Sequence, residues 1–106
     1  MLSDVPSSER LRDLGTGRGL RLLREVASEI RDARLAAGMS QQAVADAVRM
    51  SRSAYGRVER AEVRDAGCVR LARICRVLGL DLSLRVYPAG PPIRDAAQIR
   101  LLKRFQ

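Results

Sequence analysis

Apolar positions along this chain recur with a helical period, then with a strand period, then with a helical one again. From Leu20 to Ala37, the residues Leu23, Val26, Ala27, Ile30, Ala33 and Ala37 share one face of a helix that Gly38 stops as its C′ residue. Ser40 is a good N-cap, because its hydroxyl can accept from a free amide at a helix start. Val44, Ala45 and Val48 then fall on one face over about two turns. Arg49 and Met50 interrupt the pattern. Ser51 caps again, and Ala54, Tyr55 and Val58 mark a second inward face. After a loop over 60–67, Cys68, Leu71, Ala72, Cys75 and Leu78 predict a fourth helix that Gly79 ends, with Arg70, Arg73 and Arg76 along its outer side.

At Leu80 the period changes to two. Leu80, Leu82, Leu84 and Val86 alternate with polar residues until Tyr87, and Pro88 closes the run, which predicts a strand. A lone strand cannot satisfy its backbone or bury its apolar face. It therefore needs the same strand of a second copy, as an antiparallel ribbon, or a strand from another domain. Past Pro88–Pro92 a helical pattern resumes from Asp95 to Phe105, with Ala97, Leu101, Leu102 and Phe105 on one face. It lacks a C-cap, the ending expected of a chain that continues into an appended region. Residues 1–18, broken by Pro6, Gly15 and Gly17, predict little order beyond a helical turn after Ser8. Gly15-Thr16-Gly17-Arg18-Gly19 follows no apolar strand and lacks the ending of a phosphate loop, so a linker is expected there.

The two short helices opened by Ser40 and Ser51 cannot lie antiparallel across so tight a turn, and they must cross steeply. This is the geometry of a helix-turn-helix, whose second helix turns its polar face outward. That face carries Arg52, Ser53, Gly56, Arg57 and Arg60. An arginine on such a rod can bind guanine O6 and N7 in a bidentate fashion, whereas Ser53 can donate or accept and specifies less. Gly56 has no side chain to read a base and suits close approach of the backbone. Glu59 is expected to pair with a nearby arginine or to cap rather than touch DNA, since a carboxylate repels phosphate.

Ser40-Gln41, Val44-Ala45, Val48, Ser51-Arg52-Ser53 and Glu59 resemble, in order, the Cro/CI-type (XRE-like, lambda-repressor-like) helix-turn-helix family. The likeness covers roughly residues 23 to 80. The family usually has glycine where Arg49 stands, because the turn favours a left-handed backbone. Ala43 replaces a polar or acidic residue, so Ser40 caps alone, and Tyr55 replaces a small aliphatic. What the resemblance implies is sequence-specific binding of double-stranded DNA and transcriptional regulation, repression first. The DNA contacts it implies come from Gln41, Gln42, Ser51, Arg52, Ser53, Gly56, Arg57 and Arg60, with Gln41 gripping a phosphate at the start of the second helix. Arg31 and Arg34 are expected on a solvated face.

Composition changes this picture little. The formal charge of +8 suits a polyanionic partner, yet residues 38–64 carry five arginines against Asp46, Glu59 and Glu62, so charge supports the reading without locating it. Nineteen of the twenty basic residues are arginine, which base composition of the genome explains as readily as hydrogen bonding does. With no histidine, no nucleophile–base pair and no metal-ligating cluster, neither an enzyme nor a cofactor is expected. Cys68 and Cys75 are seven residues apart on one helix, about 10 Å between Cα atoms, too far for a disulfide; both are expected as buried thiols. No run of eighteen apolar residues and no basic-then-apolar start occurs, so a cytoplasmic protein that stays off membranes is expected.

The expected fold is all-α: four to five helices with a helix-turn-helix, then one short strand and a C-terminal helix. Residues 1–19 are assigned to a flexible segment, 20–80 to the DNA-binding domain and 81–106 to an extension that dimerises or begins an appended region. A homodimer is the expected assembly. The alternative is an antitoxin-like module that neutralises a partner protein through residues 80–106.

Overall fold

The computed structural model describes residues 7–93 of the 106-residue chain. Four helices are present among them: α1 (Ser8–Ala36), α2 (Gln41–Ala47), α3 (Arg52–Glu59) and α4 (Cys68–Val77). Residues 19–84 form one compact unit, and 7–18 and 85–93 fall outside it. No described helix is long and apolar enough to cross a membrane.

The first helix starts at Ser8, twelve residues ahead of the expected Leu20, which corrects the flexible reading of residues 8–19. Ser7 opens it: its hydroxyl accepts from the Arg10 amide at 3.1 Å and its carbonyl from the Leu11 amide at 3.0 Å. Glu9 suits the positive end of the helix, and the Thr16 hydroxyl donates to the Arg12 carbonyl at 3.0 Å. The glycines at 15, 17 and 19 weaken this stretch by about 1 kcal/mol each relative to alanine without interrupting it.

Ser40 and Ser51 cap as the pattern requires. Each hydroxyl accepts from the amide three residues on, Ala43 and Ala54, both at 3.0 Å. All four helices end the same way. The amide of C″ reaches the carbonyl of C3: Met39 to Arg34, Met50 to Ala45, Glu62 to Arg57 and Leu80 to Cys75, at 2.7–3.1 Å. This motif needs a left-handed residue at C′, and those residues are Gly38, Arg49, Ala61 and Gly79, with φ of 68°, 59°, 55° and 79°. Two are glycine and two are not. A side chain in this region costs about 1–2 kcal/mol, partly offset by the 0.5–1 kcal/mol that glycine loses in ordering. Arg49→Gly is therefore expected to stabilise the domain by about 0.5–1 kcal/mol, raising its melting temperature by about 2–8 °C in a thermal scan.

These caps hold the helices around one core. Ile30 from α1, Val44 and Ala45 from α2, Tyr55 and Val58 from α3, and Leu71, Ile74 and Cys75 from α4 form a single buried cluster. Fully burying each large aliphatic contributes about 1.5–3 kcal/mol. Register corrects two positions of α4. Ala72 and Cys68 are exposed, and Ile74 is fully buried in their place, because Leu71, Ile74, Cys75 and Leu78 make the inward stripe. Cys68 is the first residue of the helix and lies past the core; both thiols are free. Burial, and then Asp81, push the Cys75 thiol pKa up, which keeps it protonated.

The predicted strand over 80–87 is not formed. The described chain has no second strand to complete a ladder, and this segment runs on without regular structure. Only the first half of its apolar set is covered: Leu80 and Leu82 lie against the core, while Leu84 and Val86 are 67% and 98% exposed. The helix expected over 95–105 lies outside the described residues.

Candidate nucleic-acid interface

The outer face of α3 is built by two opposing constraints. Tyr55 and Val58 anchor the helix from below, and the Ser51 cap fixes where it begins. Arg52, Ser53 and Arg57 face away from the core. All three are exposed, and neither arginine has an ion-pair partner among the described residues. No first turn of α2, α3 or α4 contains an acidic residue, so the positive ends of three helices are left uncompensated.

The other proposed contacts sit differently. Ser51 is exposed and occupied as a cap. Gln42 is exposed and donates from Nε2 to Asp46 Oδ1 at 2.7 Å. Arg60 pairs with Glu62 at 3.1 Å on the open surface, an interaction worth about 0–1 kcal/mol. Gly56 is buried: a Cβ there would meet Arg60 Nη1 at 3.1 Å and Gln41 Oε1 at 3.6 Å. Both neighbours are ends of flexible side chains, and alanine is the better helix former by about 1 kcal/mol. Gly56→Ala is thus expected to stabilise the fold by about 0.5–1 kcal/mol, read as a higher denaturation midpoint.

Beneath this face lies a polar network that the linear pattern did not reveal. Arg34, expected on a solvated face, instead points inward from α1 and grips Glu59 with two bonds, Nε to Oε2 at 2.6 Å and Nη2 to Oε1 at 3.0 Å. Its third nitrogen, Nη1, donates to the Met39 carbonyl at 3.0 Å, across the turn between α1 and α2. The two side chains are only 11% and 3% exposed. Glu59 pairs with an arginine, as expected, and also accepts from Gln41 Nε2 at 3.1 Å. One carboxylate at the end of α3 thereby fixes the end of α1 and the start of α2. Burial pushes the Glu59 carboxyl up, but the hydrogen bonds from Arg34 and Gln41, with the Tyr55 hydroxyl nearby, outweigh it and leave its pKa lowered. Burial, with the Glu59 carboxylate next, raises the pKa of the Tyr55 hydroxyl, which makes no well-formed hydrogen bond. The missed signal was spacing, since Arg34 stands four residues after the fully buried Ile30, on the same helical face.

Gln41 is consequently held in place before any ligand arrives. One amide hydrogen of Nε2 goes to Glu59, and the second has no partner among the described residues. The arrangement offers a rigid, capped helix with two free guanidinium groups and, beside it, a fixed amide at the start of α2. Over residues 30–84, more than half of the chain, the sequence matches the model of the helix-turn-helix family. No curated protein and no solved structure matches it.

Proposed function

The chain belongs to the Cro/CI-type helix-turn-helix family, and from that premise we propose that it is a cytoplasmic, sequence-specific regulator of transcription that binds double-stranded DNA through α3. The observation that carries the reading is the exposed, unpaired Arg52 and Arg57 on a helix clamped from behind by the Arg34–Glu59 pair. In this reading Arg52, Ser53 and Arg57 meet base edges in the major groove. Gln41 grips a phosphate, while Gln42, Ser51 and Arg60 flank the same backbone. Repression by blocking polymerase is the simplest mode, since it requires only occupancy of the site.

Selection from random duplexes tests it. The expected result is one enriched motif, repeated in two half-sites about 34 Å apart, on which Gln41→Ala lowers affinity for all sequences alike. A pool that stays random under selection overturns the reading.

The repeated half-site requires two copies of the chain. Leu84, Val86 and Tyr87, at 67%, 98% and 71% exposure, support pairing of residues 80–87 with the same segment of a second copy. The same exposure favours the second reading, an antitoxin-like module that neutralises another protein through residues 80–106. Stoichiometric co-purification of that protein, lost on truncation at Gly79, decides for the latter.

A further inference from the structure

Away from the outer face of α3, the turn between α2 and α3 and the side of α4 enclose a concavity of about 450 Å3 lined by Ala47, Val48, Arg49, Met50, Arg70 and Arg73. Three of its six lining residues are arginines. All three are exposed, and none has an ion-pair partner among the described residues.

Two of them are placed against local preference. Arg49 takes the left-handed C′ position of α2, at φ 59°, where glycine fits without strain. Arg70 stands in the first turn of α4, at the positive end of a helix whose N-cap, Gly67, supplies no side-chain acceptor and whose first turn has no acid. Arg73 follows one turn later and adds a third like charge to the same space. Such a gathering raises the energy of the isolated domain, and an anion in the concavity offsets the repulsion by attracting all three guanidinium groups. Met50, on its wall, directly precedes Ser51, the cap of α3, so the basic concavity adjoins the start of the proposed reading helix.

We propose that Arg49, Arg70 and Arg73 form a clamp for a phosphate of the DNA backbone beside the groove entered by Arg52, on the opposite end of α2 from Gln41. This inference rests on the DNA-binding reading above. The three exposed guanidinium groups suit a phosphate already delivered by a polymer. No buried polar side chain lines the space to hold a free ion. The clamp carries no sequence information and sets affinity and register.

The test uses the full chain and the best selected duplex, with affinity measured across about 50 to 200 mM salt. Arg70→Gln/Arg73→Gln is expected to weaken binding equally on all duplexes, to leave the selected motif unchanged, and to flatten the log–log salt slope by about 0.9 for each phosphate released. Arg70→Lys/Arg73→Lys keeps the charge and is expected to restore most of that slope. Arg49→Gly separates the clamp from a merely structural role, because it is expected to raise the melting temperature while flattening the slope. If the wild type enriches a motif but the glutamine and glycine variants keep its salt slope, the clamp is wrong and the regulator reading survives. If the wild type enriches no motif, the regulator reading itself falls. A rise in melting temperature with pyrophosphate that the glutamine variant abolishes, with the DNA slope intact, assigns the concavity to a free phosphate ligand and overturns the clamp.

Discussion

Arg34→Met is expected to destabilise the domain by about 3–5 kcal/mol, because it strands a buried carboxylate whose other hydrogen-bonded partner is the neutral amide of Gln41. Small domains are stable by about 5–15 kcal/mol, so a loss of this size removes a large fraction of the total stability. Removing both charges together, as in Arg34→Met/Glu59→Leu, is expected to recover most of the loss, since the desolvation cost of the pair disappears with it. Urea titration of the four proteins of this cycle gives the coupling directly. Acid adds an independent check. The folded-state pKa of Glu59 is lowered from the usual 4.5, so its stabilisation is present above that value and is lost as pH falls through the folded-state pKa. In Arg34→Met, burial acts without the arginine to oppose it and raises that pKa. The gap in stability between wild type and variant should therefore narrow on acidification. A single variant whose midpoint stays within about 0.5 kcal/mol of wild type at neutral pH would show that the pair is not the buried clamp described here.

The same pair explains where reading the chain stops short. The capped helices at Ser40 and Ser51 are encoded within a few residues, since the acceptor and the amide it serves are three positions apart, and both caps form as expected. Gly38 and Gly79 likewise announce their turns. Arg34 could not be placed that way. Its partner is 25 residues distant, and a charged side chain on an inward stripe looks solvent-facing until the carboxylate that neutralises it is in view. The opposite failure occurred at Gly15, Gly17 and Gly19, where a local preference for breaking a helix lost to the continuity of α1 and its start at Ser7. Over 80–87 the alternation suggests one apolar strand face seeking an outside partner, whereas Leu80 and Leu82 pack against the domain's own core. A strand is a property of two segments, and the described chain contains only one. Of the proposed DNA contacts, Arg52, Ser53 and Arg57 lie on an open face. Gly56 lies beneath Gln41 and Arg60, because the helical wheel shows direction and omits what long neighbours cover.

The largest functional effect is expected at Arg52. It is the first residue of α3, directly after the Ser51 cap, and helices of this motif present their N-terminal residues to base edges. A bidentate arginine–guanine contact discriminates against other bases by about 1–3 kcal/mol, so Arg52→Ala should lose roughly 5- to 150-fold of preference at a single base pair. Arg57, five residues further along an eight-residue helix, is more than one turn away and should read a different position. Arg57→Ala is therefore expected to relax another base pair, and the losses in the double variant should add, because the two side chains share no partner. Ser51→Ala acts through the rod itself, costing about 1 kcal/mol of stability as the first turn loses its acceptor, and blurring both positions at once. Selection with each variant separates these outcomes from loss of a phosphate contact, which lowers affinity without altering the motif. If Arg52→Ala and Arg57→Ala both enrich the wild-type motif, base reading does not come from this face of α3, however well the helix is held.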